Sequence, residues 1–355
     1  MKKAICIVLV LAMALSLFAG CGSSAAPSQE SSKTVEFTDD CGRTVTVPEN
    51  ISRIVPTGPL SQIVLFALCP EMFVGLASKW SSDSEGIIPE EFLALPYFGQ
   101  LYGSADLNIE SLALAAPQII IDIGEVKKST AEDVEALQSQ LGIPCVFIES
   151  TLESLPETYR KLGALLGLEE RAETLASFCE KTYDRTLSIM EQIGDNKAQV
   201  IYIPGYEELS VLAKGSYHAE IIDLICDNAA VVEEPSGRGT GNSVSMEQLA
   251  LWDSEYVIFG TKDSYASLET DPAWEHMRAV KEGKCLLVPT QPQNWLGSPP
   301  GAQRILGLIW LTAVLYPEYC DFDVKEEVKE FYELFFHCTL SDEQFDAITE
   351  NAFLN

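Results

Sequence analysis

The sequence predicts an α/β protein built as two lobes, each a mainly parallel sheet flanked by helices, joined by a single long helix. Three observations carry this. Short apolar runs separated by turns fill the chain on both sides of its middle. Between them, Leu152 to Ile193 holds two helical patterns and no strand signal. The length, 355 residues, is enough for two domains of ordinary size. The expected divisions are a lipoprotein signal over 1–20, a flexible tether over 21–33, an N-terminal lobe over 34–150, connecting helices over 151–194 and a C-terminal lobe with its final helices over 195–355.

Lys2 and Lys3 precede an apolar run from Ala4 to Ala19, too short for a comfortable membrane span and followed by a polar tract. The run ends Leu17-Phe18-Ala19-Gly20-Cys21. Small residues before a cysteine resemble a lipobox, in which Cys21 is lipidated and becomes the new N-terminus; Phe18 is a less usual residue there. An ordinary secretory signal cut nearby fits the same run. Gly22 to Lys33 is a Ser/Ala-rich tether.

Val35–Phe37 and Thr44–Val47 flank Asp39-Asp40-Cys41-Gly42, a hairpin by composition. Arg53-Ile54-Val55 enters a loop at Pro56 to Pro59, and an apolar helix follows from Leu60 to Leu68. Phe73 to Ala77 reads as a strand. Asn108 opens a helix that stops before Pro117. Gln118 to Ile123 is a buried-type strand, Ala131 to Leu141 a helix, and Pro144 to Glu149 a further strand. Alternating strands and helices imply a sheet covered on both faces, with ligands at the carboxyl ends of its strands.

In the middle, Ser154 and Glu157 have capping-box spacing and Pro156 falls in the first turn. That helix is expected to run to Gly167. The next spaces its apolar residues by three and four from Leu168 to Ile193, roughly 39 Å of helix. The period suits a strut beside a ligand cleft and equally one more packed helix in a single large domain.

Beyond it, Gln199–Ile203, Leu209–Ala213, Tyr256–Gly260 and Cys285–Pro289 read as strands, and Ala229 to Val232 leads into the glycine cluster at Gly237 to Gly241. Val244 to Gln248 opens a helix, and long helices from about Gly301 finish the chain.

The formal charge of −30 argues against nucleic acid and anionic membrane surfaces as partners. Of ten cysteines, Cys6 and Cys21 belong to the leader. The rest are scattered with no C-x-x-C, so reduced core thiols are expected rather than a disulfide framework or metal finger. No G-x-S-x-G is present, Gly237 to Gly241 lacks the Rossmann spacing, and no two of His218, His276 and His337 sit at metal-ligand spacing. No catalytic residue, resident metal or cofactor is therefore assigned.

The strand-end loops carry aromatics: Trp80, Tyr102, Tyr206, Tyr217, Tyr265 and Trp295. The same loops carry Lys79, Lys127, Lys128, Lys214, Arg238 and Lys262. Flat π-faces with cations suit an anionic metal chelate, although ordinary strand-end packing explains a single aromatic equally well. The expected ligand contacts are Trp80, Tyr102, Tyr206, Tyr217, Arg238, Lys262 and Trp295. His218 also falls on a cleft loop, as a ligand contact or a helix-start residue. Glu110 and Glu247 each open a helix in matching contexts, one per half, which the helix dipole alone also favours.

The order of the acidic-glycine hairpin, Arg53-Ile54-Val55 with its Pro-rich turn, Phe66-Ala67-Leu68, Val74-Gly75, Leu107-Asn108-Ile109-Glu110 and Pro117 with Ile119-Ile120 resembles the solute-binding proteins of ABC importers for ferric siderophores, cobalamin and haem. Gly307 to Leu311 and Tyr316-Pro317 are similar to a siderophore-like branch. The resemblance spans the chain after the leader. It implies the two-lobed, helix-linked fold, no enzymatic activity, and a monomer that captures a metal chelate and passes it to a permease and its ATPase. It puts aromatic ligand contacts near Trp80, Tyr102 and Trp295, and implies that Glu110 and Glu247 dock onto basic permease residues. It also implies a protein held on the outer face of the cytoplasmic membrane, of Gram-positive type, by its lipid alone. Two departures stand out: Ser61-Gln62 where the family often has Thr-Glu, and Gly297-Ser298 where an arginine often precedes the double proline. The expected ligands rank ferric siderophore, then cobalamin or another corrinoid, then haem, then an oxyanion such as molybdate. A surface sensor or adhesion module on the same fold is the rival reading outside import; an exported enzyme ranks below it.

Overall fold

The computed structural model describes residues 33–102, 107–205 and 209–354. The hairpin of β1 (Thr34–Thr38) and β2 (Thr44–Pro48) comes first. Asp39 shapes its turn, accepting the backbone N–H groups of Cys41 and Arg43. Then follow β3 (Ile54–Pro56), α1 (Pro59–Leu68), α2 (Glu90–Leu93), α3 (Ile109–Ala115), β4 (Ile119–Gly124), α4 (Thr130–Leu141) and β5 (Cys145–Glu149). Strands β3, β4 and β5 pair in parallel with β4 in the centre. All of β4 but Gly124 is buried, which is why its sequence is a continuous apolar run broken only by Asp122.

Helices α5 (Leu155–Leu166) and α6 (Glu169–Ile193) form the centre of the chain. Gly167 ends α5 in the left-handed conformation that glycine adopts without strain. The two helices approach so closely that a Cβ on Gly163 would lie 2.4 Å from the Cβ of Ala172. The expected capping box does not form. Ser154 has helical dihedrals and its hydroxyl is taken up by Thr151, while the Glu157 carboxylate pairs with Arg160.

The second half runs β6 (Gln199–Ile203), β7 (Ser210–Val211), α7 (Glu220–Ile225), β8 (Asp227–Asn228), β9 (Asn242–Ser243), α8 (Met246–Trp252), β10 (Tyr256–Phe259), α9 (Lys262–Thr270), α10 (Arg278–Lys281) and β11 (Cys285–Leu287). A parallel sheet has the order β11-β10-β6-β8. Helices α11 (Arg304–Leu315), α12 (Val324–Phe336) and α13 (Asp342–Ile348) complete the chain.

The main core is continuous from β3 and α1 through α5 and α6 to α11 and α12. On α12, Phe331 and Phe335 stack at 4.1 Å and pack against Phe178 of α6; Phe335 also meets Tyr159 of α5. The last long helix thus returns to the first half. Arg171 of α6 donates to the carbonyl of Ala67 at 3.1 Å, and the His337 ring lies 3.0 Å from that of Phe66.

One expected strand differs. Phe73 to Ala77 divides its hydrogen bonds between Ile54 and the segment at Pro96 to Phe98, so no continuous ladder forms. Just past β8, the Ala230 carbonyl accepts the N–H of Lys214 at 2.9 Å. The eight described cysteines are free, and Cys69, Cys145, Cys179 and Cys226 are buried.

Candidate functional site

A cleft of about 180 Å³ lies at the carboxyl ends of β3 and β4, closed by loops of the second half. The first wall is helical. Gly58 is the N-cap of α1 and offers no side chain to the free N–H groups of the first turn, and Gly58 to Ser61 line the cleft. Thr130, the first residue of α4, lines it as well and accepts the N–H of Lys127 at 2.9 Å. Two helix N-termini therefore face one small space, and both carry positive partial charge.

Asp122 forms the floor. It is buried, Thr57 donates a hydrogen bond to it, and burial pushes its carboxyl up to about 6, against the opposing effects of Thr57 and Lys127. Ser61 accepts the N–H of Ile123 at 2.8 Å and locks α1 to β4. The neighbouring Gln62 accepts from Ala77 and Ser78, which fixes the loop leading to Trp80. Tyr102 is half-exposed on the rim, with the Lys127 ammonium 5.6 Å from its ring centre. Burial first, then the charge of Asp122, holds the Tyr102 hydroxyl protonated.

The second half closes the cleft with Tyr217, His218, Gly237, Pro299 and Pro300. Tyr217 donates to the Ser150 carbonyl at 2.8 Å, across the two halves. Glu220 accepts the N–H of Leu152 at 3.1 Å and pairs with buried Arg304, whose guanidinium lies 5.5 Å from the Tyr217 ring. Burial pushes the His218 imidazole below its ordinary range. A wider depression of about 780 Å³ elsewhere is lined by Glu85, Glu90, His337, Cys338 and apolar residues, with no lysine or arginine to balance its two carboxylates.

The expected ligand residues divide. Tyr102 and Tyr217 line the cleft. Arg238 is exposed beside the lining residue Gly237, and Lys262 is exposed at the start of α9, away from the lining. Trp295 is 0% exposed within the main core rather than at the cleft. Trp80 is also buried, with its ring edge-on to Phe66 at 5.0 Å. An indole that can complete a core gains more from burial than from a wet rim, which explains both placements. Tyr206 and Cys21 lie outside the described residues. Asp122, Thr57 and the open N-terminus of α1 were not singled out. An acid inside an apolar strand and a helix opening Gly-Pro with no capping side chain are the signals that point to them.

Among the described residues, no group of three or more His, Cys, Asp or Glu is placed to hold a metal ion, and no helix is long and apolar enough to cross a membrane. The chain belongs to the periplasmic binding protein family, whose model matches residues 100–292. It is a solute-binding protein of an ABC importer, and its relatives are binders rather than enzymes. It is 24% identical over 331 residues to the molybdate-binding protein MolA of Haemophilus influenzae, covering 84% of this chain and 90% of that one. An ABC transporter solute binding protein from Sulfurospirillum deleyianum superposes with a TM-score of 0.80 at 27% identity, over 88% of this chain and 98% of that one. The structure of MolA bound to molybdate has a TM-score of 0.69 at 18% identity, over 86% and 99%.

Proposed function

We propose that this protein captures a small oxyanion of the molybdate class between its lobes and hands it to an ABC permease. The observation that carries the reading is the cleft: about 180 Å³ in volume, with two helix N-termini and Lys127 turned towards it. A cavity of about 150 Å³ takes a molecule the size of benzene, and pockets for drug-sized ligands span about 300–1,000 Å³. A haem or a corrinoid exceeds this space and, like a siderophore, requires the lobes to open. Backbone N–H groups and an ammonium hold a compact anion without a resident metal. The molybdate named for the Haemophilus relative agrees in class. Asp122 and Glu125 both line the cleft and oppose an anion when ionised; for Asp122, a carboxyl titrating near 6 relieves its share of that opposition in mild acid.

A ferric siderophore is the second reading, favoured by the Tyr102–Lys127 pair, which suits an anionic chelate with aromatic groups. It requires the Tyr217–Ser150 and Glu220–Leu152 contacts to open. Thermal melting of the leaderless protein with molybdate, tungstate, sulfate, a ferric siderophore, haemin and cyanocobalamin decides between them, since a ligand of the native state raises the midpoint. A shift with molybdate or tungstate alone supports the oxyanion. A shift with the siderophore alone replaces it with the second reading.

Delivery runs through Glu110 and Glu247, and the chain is held at the membrane by a lipid on Cys21. Glu110→Gln with Glu247→Gln abolishes uptake and leaves the ligand-induced shift unchanged. Cys21→Ser abolishes palmitate labelling.

A further inference from the structure

Helices α3 and α8 are one structural element present twice. Each has seven residues and a side-chain N-cap: Asn108 accepts from Ser111, and Ser245 accepts from Gln248. Each places a glutamate at its second position, Glu110 and Glu247, and both are exposed with no ion pair to a described residue. Two residues on, each buries a leucine, Leu112 or Leu249, at 0% exposure. Each ends on a left-handed residue, Ala116 (φ 48°) or Asp253 (φ 41°), and turns into an interior strand of its sheet, β4 or β10.

The element also repeats a feature that folding does not require. Leu114 is 87% exposed and Leu251 is 79% exposed, the two most exposed large apolar side chains described. Each stands four residues after its glutamate, so acid and leucine share one helix face. A single exposed leucine needs no explanation. Two at the same register of two copies, each beside an exposed acid with no ion pair to a described residue, do.

We propose that Leu114 and Leu251 are the apolar halves of a duplicated docking element. The partner is the importer's permease pair: two like subunits around a two-fold axis, each with an apolar pocket beside a basic side chain. The acids set orientation and approach, and the leucines hold the complex once water is expelled. This rests on the delivery reading above.

The test measures binding of the full chain to its purified permease–ATPase complex in lipid nanodiscs. Leu114→Ala and Leu251→Ala each weaken binding about tenfold, and together about 100-fold, with little dependence on salt. Glu110→Gln with Glu247→Gln weakens it most at low salt. Ligand-induced melting shifts stay at wild-type values in every variant, since none of these residues lines the cleft. If the leucine pair binds like wild type while the glutamate pair fails, the leucine inference is overturned and delivery through the acids stands. If neither pair changes binding, or the wild type does not bind, the delivery reading falls and the inference with it.

Discussion

The carboxyl ends of the two parallel sheets do different work. The first half contributes charge and helix ends to the cleft: Asp122 at the end of β4, Lys127 beyond it, and the starts of α1 and α4. The second half contributes a cover: Tyr217, His218, a glycine loop and two prolines. It is fastened by the hydrogen bond from Tyr217 to Ser150 and by Glu220 on the Leu152 N–H. In helices α3 and α8 the halves share length, cap, glutamate and leucine positions; in the cleft they do not match. The two-fold permease proposed above would meet both halves alike, which accounts for the match. In the cleft the first half supplies the charged groups and helix starts, and the second half the aromatic and proline cover.

The largest expected effect tests whether the second half is a cover. Trp295→Ala lowers stability by about 3–5 kcal/mol, read in urea, because it empties a fully buried indole site. Unchanged stability with loss of ligand would make Trp295 a binding wall and break the contrast. Next, Lys127→Ala weakens molybdate by about 10–100-fold in calorimetry, the loss of one charge-assisted contact. His218→Ala costs less than Lys127→Ala. The reverse order would move the binding chemistry to the second half.

The third prediction concerns pH. Asp122 has a folded-state value of about 6 against an ordinary 3.8. An acid shifted upward in the folded protein contributes most to stability below pH about 4, and that contribution is lost as pH rises through about 6. The same ionisation adds negative charge to the cleft floor. Molybdate affinity therefore rises as pH falls from 7.5 to 5.5, and Asp122→Asn flattens the profile while retaining an acceptor for Thr57. A profile that stays steep in the variant would place the titration on another group. The smallest effect is that of Tyr217→Phe, about 1 kcal/mol on closure, seen as faster ligand release.

Much of the architecture was legible because it rests on local periodicity. The hairpin at Asp39 to Gly42, the apolar run of β4, the stop at Gly167 and the long three-and-four spacing of α6 are all set by neighbours in sequence. So were the matched contexts of Glu110 and Glu247, since a helix start is a short pattern.

What only the folded chain decided was which side chains share a space. Trp80, Trp295, Tyr102 and Tyr217 have equal claims as aromatics on strand-end loops, yet the core took the two indoles and left the two phenols at the cleft. That choice depends on the fit of helices more than a hundred residues away, as when α12 packs back on α1 and α6. The size of the cleft is likewise the distance left between two lobes after Tyr217 and Glu220 reach the first half. Sequence fixes periodicity and chemistry along the chain; burial and volume are properties of the whole packing, and they are what select the ligand.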